Sequence, residues 1–327
     1  MGKRILVIGS ANVDFILRIP RFHKAGETIL GEDAVTAFGG KGANQAFAAK
    51  RLGGTVDFLT ALGEDAHGKA YRKYLIRSGF KAKSLLTEPK KPTGMALIEI
   101  VPGGENRIIV SPGANGAFSP RCLKEAGQVW KGVGVLVVQL ETPLKTVRAA
   151  LDAGKRKGIL TILNPAPARV LSSHILSLVD YLVPNEIEAQ EIAGVKIKGE
   201  EGLSKAASEL LRRGAKNVII TLGEKGAYFK NRLEELRVKA FRVKAVDTTA
   251  AGDAFVGTLA WGLAQGMDTE NVLLHANAAG ALTAARLGAQ PSLPTIAEVR
   301  RFLRDRRKGK RDWRQKRQEG LKIPKLH

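Results

Sequence analysis

Residues 247–255, with the sequence DTTAAGDAF, hold two carboxylates on either side of a run of small residues. Apolar residues at helical spacing follow, so we expect a helix to begin near Gly252. The free N–H groups of a helix start stabilise negative charge, and Asp253 would lie beside them in the first turn. This arrangement suits phosphoryl transfer to an alcohol, because the acid can take the alcohol proton while the N–H groups hold phosphoryl oxygens. The alternative is an ordinary helix start whose acid complements the helix dipole.

Residues 38–46, with the sequence FGGKGANQA, are a second candidate for chemistry. Glycines let the backbone approach a ligand closely, and the helix expected to follow them would offer free N–H groups. Lys41 adds a positive charge, and Asn44 can both donate and accept hydrogen bonds. The alternative is a flexible turn that leads into an ordinary helix.

Polar residues also follow predicted core strands, at the edge where open α/β sheets bind ligands. Asn12 and Asp14 come after the strand at 4–8 and alternate, so their side chains share one side of an extended chain. An amide and a carboxylate placed in this way could hold the vicinal hydroxyls of a polyol. Glu141 is a similar acid after the strand at 133–140. For Asn12 and Asp14 the alternative is a simple Asx turn.

Two further segments could border a nucleotide. Asn185 and Glu188 follow Pro184, which ends a predicted strand. The acid could place Mg²⁺ through water, or it could only complement the dipole of the helix that begins there. Residues 221–226, with the sequence TLGEKG, could flank a nucleotide or form a plain hairpin turn.

Residues 63–70, with the sequence GEDAHGKA, match most of a P-loop. Ala70 stands where a P-loop needs a hydroxyl for Mg²⁺, and Glu64 and Asp65 would place negative charge beside the phosphates. We therefore predict a strand–helix turn capped by Asp65 at this position.

The elements that must position these residues follow a regular order. Nearly continuous Val/Ile/Leu runs, typical of parallel strands covered on both faces, alternate with helical patterns. We predict an α/β fold with a doubly wound, mostly parallel sheet flanked by helices. The predicted core strands lie at 4–8, 56–62, 133–140, 159–163, 181–183, 217–221 and 227–230. The predicted helices lie at 43–52, 68–78, 144–157, 186–193, 202–213, 252–265, 269–286 and 296–306.

Two regions depart from this alternation. Residues 13–18 and 27–37 are predicted as two strands joined by a turn, and residues 94–101 and 106–111 as a hairpin. No crossover helix separates these strands, so we expect a small antiparallel β lid formed by about 12–37 and 94–112. The sequence has no strong linker, so we predict a single domain that spans residues 1–306.

The charge is concentrated toward one end of the sequence. The net charge is +22, and residues 299–327 hold thirteen Lys/Arg against three Asp/Glu. We predict a basic C-terminal extension over 307–327, whose charge is either solvated surface or a non-specific attraction for nucleic acid. No apolar run is long enough to cross a membrane, so we expect no membrane partner. The single cysteine, Cys122, excludes an internal disulfide and fits a cytoplasmic location.

Together, these segments resemble a known family. GGKGANQA at 39–46 and DTTAAGDAF at 247–255 are similar, in order and separation, to the two signatures of the ribokinase-like (PfkB) carbohydrate kinases. GSANVD at 9–14, QLETP at 139–143, LNPAPAR at 163–169 and GAQPS at 288–292 extend the resemblance to about residues 4–305. It implies phosphorylation of D-ribose by ATP at the 5-hydroxyl, which gives D-ribose 5-phosphate and ADP. It also implies a homodimer that pairs through the lid.

The resemblance assigns roles by position. Asp253 would be the base, and the anion hole would use the N–H groups of Ala250, Ala251, Gly252 and Asp253. The sugar contacts would come from Asn12, Asp14, Gly40, Lys41, Asn44, Glu141 and Asp253. The ATP site would be lined by Asn185, Thr221, Gly223, Gly226, Gly252 and Asn277. Glu188 would help to place Mg²⁺ through water. The ligands of a K⁺ ion that orders the neighbouring loop would be Asp247, Thr249, Thr283, Arg286, Gly288 and Ser292.

Two alternative functions remain open. A related kinase could act on deoxyribose, on a nucleoside or on another sugar; Asn12 and the full GGKGANQA segment favour ribose, because a site built to pair a hydroxyl penalises its absence. A protein of a different class would use the basic extension to bind nucleic acid and the kinase-like fold as a scaffold. The intact catalytic segments argue against this second alternative, so we expect no nucleic-acid partner.

Overall fold

The structure is a computed structural model that describes residues 2–103 and 105–306. The predicted basic extension at 307–327 lies outside the described residues. Within them, none of the helices is long and apolar enough to span a bilayer.

A large twisted sheet forms the centre of the molecule, and the predicted α/β class is confirmed. Its nine strands follow the order β13-β12-β11-β10-β9-β8-β1-β4-β5, in which all neighbours from β11 to β5 are parallel. β12 and β13 are antiparallel to their neighbours at one edge. The strands of this sheet are β1 (Arg4–Ile8), β4 (Val56–Gly63), β5 (Leu85–Glu88), β8 (Val133–Val138), β9 (Leu160–Leu163), β10 (Tyr181–Leu182), β11 (Asn217–Thr221), β12 (Ala227–Lys230) and β13 (Glu235–Val238).

Helices cover both faces of this sheet. The described α-helices are α1 (Lys41–Arg51), α2 (Ala66–Arg77), α3 (Gly113–Ala117), α4 (Pro120–Glu125), α5 (Leu144–Arg156), α6 (Ser173–Ser177), α7 (Glu186–Ala193), α8 (Gly199–Arg212), α9 (Ala251–Ala264), α10 (Thr269–Ala284) and α11 (296–306). In β1, Ile5 and Val7 join one buried cluster, with side chains from α1, α9 and α10. Leu6 and Ile8 join a second cluster, with side chains from α5 and α8. Because a strand alternates its side chains, this split explains the unbroken apolar run.

A second sheet of four strands is also present, as predicted. Its strands are β2 (Asn12–Arg18), β3 (Asp33–Gly39), β6 (Gly94–Ile100) and β7 (Asn106–Ser111), in the order β3-β2-β6-β7. The pairs β2/β3 and β6/β7 are antiparallel, and a parallel pairing between β2 and β6, which the sequence did not predict, joins them.

Some predicted boundaries were wrong. The strand predicted from residue 27 begins at Asp33, because residues 27–32 form a loop in which the Glu27 carboxylate accepts hydrogen bonds from Lys24 and Arg21. The sequence did not predict β5 or β13, which are short strands with few consecutive apolar residues. It also missed the short helices α3, α4 and α6, which are too brief to show a helical period.

Small residues let α1 and α9 pack at very close range. A Cβ atom added at Gly257 on α9 would lie 2.6 Å from the Gln45 carbonyl oxygen and 2.5 Å from the Ala48 Cβ on α1. Ala254 and Ala260 flank this point, and both are fully buried. This close approach brings the beginnings of the two helices together, and they carry the two candidate segments of the sequence.

Candidate active site

The helix predicted after the small residues begins at Ala251, one residue earlier than expected. Its N-cap, Ala250, has a φ of 60°, in the left-handed region that a non-glycine residue rarely adopts. Among the described residues, the N–H groups of Ala250, Gly252 and Asp253 have no hydrogen-bond acceptor. The N–H of Ala251, the fourth predicted anion-hole donor, is already bonded to the Thr248 carbonyl at 3.2 Å. Open donors therefore surround the Asp253 backbone, where negative oxygen can be held.

The Asp253 carboxylate is buried and held from both sides by α1. The Asn44 Nδ2 atom donates to Asp253 Oδ2 at 3.0 Å, and the Gln45 Nε2 atom donates to Asp253 Oδ1 at 2.9 Å. The Asn44 Oδ1 atom is buried and has no hydrogen-bond partner within the described part of the chain. The pair of amides thus orients the acid, and Asn44 keeps an acceptor for a ligand hydroxyl.

Further amides, for which no role was predicted, lie behind Asp253. Gln139, at the end of β8, donates through Nε2 to Gln45 Oε1 at 2.6 Å. Gln45 also donates to Asn164 Oδ1 at 3.0 Å, and Asn164 donates to the Val183 carbonyl at 2.9 Å. Gln139 and Asn164 directly follow the buried strands β8 and β9, and Gln45 lies within the GGKGANQA segment. Their positions in the sequence could therefore have identified them as site residues.

The glycine segment packs directly against the end of β1. Gly40, the N-cap of α1, has a φ of 89°, and a Cβ atom there would lie 2.7 Å from the Asn12 backbone nitrogen. The Gly42 N–H donates to the Ser10 hydroxyl at 3.2 Å, and that hydroxyl donates to Glu141. Glu141 also accepts the backbone N–H of Lys41 at 3.1 Å. Only glycine fits where α1 approaches the backbone of residues 9–12 so closely.

The Tyr71 side chain contacts the glycine segment through its hydroxyl group, a contact that the sequence did not predict. Its hydroxyl donates to the Gly39 carbonyl at 2.7 Å and accepts from Gln290 Nε2 at 2.9 Å. Phe38 stacks on the ring of Tyr71 with the centroids 4.3 Å apart. Gln290 belongs to the GAQPS segment, so this buried tyrosine connects that segment with the glycine turn.

Asn12 and Asp14 begin β2, and both side chains are buried. Burial raises the pKa of the Asp14 carboxyl to about 7, and the negative charges of Glu141 and then Asp253 add to the shift. The influence of these two charges places Asp14 in the same cluster as the predicted base. The predicted sugar contacts therefore converge on one site at the carboxyl ends of β1 and β8.

Lys41 neutralises part of this negative charge. Burial by itself lowers the pKa of its ammonium group. Nearby carboxylates outweigh that effect and raise the pKa overall, in the decreasing order Asp253, Glu141 and Glu188. Lys41 therefore stays charged near neutral pH, and its ammonium group is within electrostatic range of Asp253, Glu141 and Glu188.

Asn185 and Glu188 form a capping box at the start of α7. The Glu188 N–H donates to Asn185 Oδ1, and the Asn185 N–H donates to Glu188 Oε2, each at 2.8 Å. Burial is the main cause that raises the pKa of the Glu188 carboxyl. Glu188 is therefore an acid at a helix start, which was one of its two predicted roles. Its other carboxylate oxygen remains available for another partner.

The remaining predicted nucleotide contacts lie at the end of β11 and next to β13. The Thr221 N–H donates to the Pro184 carbonyl at 2.9 Å, which places Thr221 beside Asn185. Gly223 and Gly226 bound the turn between β11 and β12, both at positive φ. Asn277 on α10 donates to the Val238 carbonyl at 3.2 Å, so part of its amide is already used within the protein.

The predicted K⁺ ligands lie on two segments, one before the start of α9 and one from the end of α10 onward, that Asp247 joins. Asp247 accepts the N–H groups of Thr249 and Gly288, each at 2.9 Å, and so joins the two segments that carry the set. The Thr283 hydroxyl is buried and has no partner among the described residues. Ser292 donates through its hydroxyl to the Ala289 carbonyl at 2.6 Å. The guanidinium group of Arg286 donates to Glu298 at 2.6 Å. Because a guanidinium is positively charged and has no acceptor, Arg286 could ligate a cation only through its backbone carbonyl.

The segment that resembles a P-loop is a capped turn, as predicted. Asp65 is the N-cap of α2 and accepts the Gly68 N–H at 2.7 Å. It also accepts the Thr93 hydroxyl at 3.0 Å, which ties this turn to the beginning of β6.

The raised pKa of Asp14 makes a prediction about stability. Between its ordinary value of 3.8 and about 7, the folded protein holds a proton that the unfolded chain releases. Stability therefore falls as the pH rises through this interval, and the loss is complete above about pH 7. We expect Asp14→Asn to stabilise the fold at pH 8, and the gain to shrink by about 2–3 kcal/mol on going to pH 5.

The measurement is thermal or urea unfolding of both proteins at the two pH values. Asp268→Asn is the control, because hydrogen bonds from Asn271 lower the pKa of that exposed N-cap, and it should show no such gain at pH 8. A gain from Asp14→Asn that is the same at pH 5 and pH 8 would contradict the assigned shift.

Comparisons with known proteins identify the family of this chain. Residues 3–296 match the profile of the pfkB family carbohydrate kinases. The chain is 39% identical to a ribokinase of Haemophilus influenzae over 93% of this chain and 99% of that protein. It is 37% identical to a deoxyribokinase of Salmonella typhi over 91% of this chain and 98% of that protein.

A solved structure gives the same result for the fold. The ribokinase of Arabidopsis thaliana complexed with ribose and ATP has a TM-score of 0.84 to this chain and 31% identity, over 93% of this chain and 99% of that one. The resemblance inferred from the two signature segments is thus confirmed. The chain belongs to the pfkB family of carbohydrate kinases.

Proposed function

We propose that this chain transfers the γ-phosphoryl group of ATP to the 5-hydroxyl of D-ribose and releases D-ribose 5-phosphate and ADP. One observation carries the proposal: Asp253 accepts hydrogen bonds from Asn44 and Gln45, so the two signature segments meet at one buried carboxylate. The curated relative from Haemophilus influenzae named as a ribokinase, and the plant ribokinase with ribose and ATP, support the choice of substrates.

The site's own groups account for the chemistry. Asp253 takes the proton of the attacking hydroxyl, and the open N–H groups of Gly252 and Asp253 hold the transferred phosphoryl oxygens. Lys41 adds positive charge on the same side. The two amides on Asp253 fix the direction of its carboxylate before the substrate arrives, which lowers the cost of reaching the reactive geometry.

The sugar is held by groups of complementary character. The Asp14 and Glu141 carboxylates and the Asn44 Oδ1 atom, which has no partner among the described residues, accept hydrogen bonds from sugar hydroxyls. The set is completed by Asn12, Gly40, Lys41 and Asp253. Because Asp14 and Asn44 are buried, a sugar that lacks a matching hydroxyl leaves a polar group without a partner. This feature favours a fully hydroxylated pentose.

The nucleotide is assigned to the neighbouring strand ends. Asn185, Thr221, Gly223, Gly226 and Asn277 line the ATP site. Mg²⁺ is usually bound by one or two carboxylates and by the phosphates of the substrate, and it neutralises charge on the transferring group. The free oxygen of Glu188 fits a water-mediated contact of this kind.

The nearest alternative is a kinase for deoxyribose, for a nucleoside or for another sugar. The deoxyribokinase of Salmonella typhi is nearly as similar to this chain as the ribokinase is, so identity alone does not separate the two substrates. The nucleic-acid alternative depends on the extension at 307–327, outside the described residues. A cytoplasmic location stays a prediction that the one free cysteine fits.

A substrate panel of pentoses, deoxyribose, hexoses and nucleosides tests the proposed function. We expect the highest kcat/KM for ribose with ATP, and a fall in kcat of about 10²–10⁴-fold in Asp253→Ala, since that variant loses the general base. ATP binding, measured by calorimetry, should persist in the variant. A different substrate with a clearly higher kcat/KM would replace ribose, and near-normal turnover by Asp253→Ala would refute the assigned base.

A monovalent cation, K⁺, is assigned to the loop closed by Asp247. The buried Thr283 hydroxyl, which lacks a partner in the described residues, fits an oxygen ligand for such an ion. Asp247 brings negative charge to the loop, and its bonds to Thr249 and Gly288 already hold the loop ends together. When bound, the ion supplies charge that orders this loop behind the anion hole.

Replacing K⁺ by tetramethylammonium at constant ionic strength tests this assignment. We expect kcat to fall several-fold, because an ion of that size cannot reach ligands buried in the loop, and we expect K⁺ to restore it. Equal steady-state rates in the two salts would contradict the cation site.

The second sheet is assigned as a lid over the sugar, within a single catalytic domain over 1–306 whose lid spans about 12–37 and 94–112. It also offers a surface for a second copy of the chain. Val35, Ile16, Ile98 and Ile108 lie in register across its four strands and therefore share one face. Val35 and Ile108, on the outer strands, are each 55% exposed. Apolar rows of this kind mark protein contacts, so we assign a homodimer paired through the lid.

Light scattering on a size-exclusion column tests the dimer. We expect Ile108→Asp to shift the protein from dimer toward monomer, because it places a charge in the apolar row. Ile76→Asp on α2, at a similarly exposed isoleucine away from the second sheet, is the matched control and should leave the mass unchanged. A monomeric wild-type protein, or an Ile108→Asp variant that stays dimeric, would contradict the assignment.

A further inference from the structure

Asn115 lies outside every segment that carries the resemblance, yet it is buried against the sugar contact Asn12. It belongs to α3, the short helix that follows β7 and the second sheet. Its Nδ2 atom donates to Asn12 Oδ1 at 2.7 Å and to the Ala11 carbonyl at 3.1 Å. Its Oδ1 atom accepts the Ala11 N–H at 3.0 Å. All the polar atoms of this side chain are thus used.

The backbone of Ala11 fixes which way the Asn115 amide points. A backbone N–H can only donate and a carbonyl oxygen can only accept. Asn115 must therefore turn Oδ1 toward the Ala11 N–H and Nδ2 toward the Ala11 carbonyl. The second hydrogen on Nδ2 then faces Asn12 and requires an acceptor there. Asn12 must present Oδ1 to Asn115, which leaves the Nδ2 donors of Asn12 for a ligand.

The surroundings keep this pair of amides in place. A side chain at Gly94, the first residue of β6, would overlap both Asn115 and Asn12. The pair therefore lies at the base of the second sheet, where β2 and β6 begin and where the chain leaves β7. The absence of a side chain at Gly94 lets the first residue of β6 pack directly against the two amides.

We propose that Asn115 is a positioning residue that fixes the amide of Asn12, so that Asn12 offers a hydrogen-bond donor, and not an acceptor, to a sugar hydroxyl oxygen. This inference deepens the proposed function and rests on the assignment of Asn12 to the sugar. It identifies a specificity determinant of the sugar site that makes no contact with the sugar.

Steady-state kinetics with ribose and ATP test the role of Asn115. We expect Asn115→Ala to raise KM for ribose about tenfold, the effect of one lost or misdirected hydrogen bond, and to change KM for ATP by less than about twofold. Asn12→Ala should raise KM for ribose at least as much. The double variant should be no worse than Asn12→Ala, since Asn115 acts through Asn12.

Asn217→Ala is the matched control, because that asparagine also donates to a backbone carbonyl and accepts from a neighbouring amide, but near Asp180. It should change thermal stability and leave KM for ribose unaltered. If Asn115→Ala raised KM for ribose by the same factor in the wild-type protein and in Asn12→Ala, the two residues would act independently and the proposal would be overturned. A parallel rise in KM for ribose and for ATP would also overturn it.

Asn12→Asp tests the direction of the amide without altering Asn115, and it decides the matter if Asn115→Ala does not fold. The carboxylate can still accept from Asn115 but offers no donor to the sugar, so we expect KM for ribose to rise about tenfold or more. Ribose binding equal to the wild type would overturn the proposal. If the wild-type protein prefers another sugar in the substrate panel, the proposed function fails separately, and the same variants are measured with the preferred sugar.

Discussion

The buried carboxylate of Asp253 is the constraint on which the rest of the site depends. A largely buried carboxylate needs hydrogen-bond donors, and here the amides of Asn44 and Gln45 supply one to each oxygen. Those amides lie on α1, and the acid lies on α9. The two helices must therefore approach closely, which Gly257 and the alanines around it allow. The requirement for small residues in both helices follows from the need to satisfy one acid.

The same logic extends outward from Asp253. Gln45 reaches the acid with the right atom because Gln139 and Asn164, at the ends of two buried strands, use its other hydrogen-bonding positions. The glycine turn before α1 lies against β1 because Gly40 and Gly42 have no side chains, and Tyr71 holds the turn from below. Each layer of polar groups is thus oriented by a layer that touches no ligand. This is how a fold keeps a site at fixed geometry.

The sequence predicted the parts of this arrangement that depend on local pattern. The apolar runs of β1, β11 and β12 predicted those strands with correct bounds, because strands buried in a sheet leave a strong compositional signal. The signature segments identified Asp253 and Asn44, since their spacing relative to helix starts is local too. The sequence could not predict the parallel pairing of β2 with β6, or the contact of Asn115 with Asn12, because each joins segments far apart along the chain. Short elements such as β5 and α3 have too few residues for a periodic pattern.

The charge balance of the site links stability to function. Burial first, and then the negative charges of Glu141 and Asp253, raise the pKa of Asp14, so the empty site bears an electrostatic cost. Lys41 brings a positive charge near Asp253 and Glu141. A sugar whose hydroxyl groups donate hydrogen bonds to these carboxylates relieves that cost, whereas a sugar lacking one of the hydroxyls relieves less of it. The cost of burying and crowding these carboxylates in the empty site therefore helps the filled site to discriminate between sugars. The Asn12 amide, which Asn115 orients as a hydrogen-bond donor, complements this cluster of acceptor carboxylates. Donor and acceptors together select a ligand whose hydroxyl groups both accept and donate hydrogen bonds.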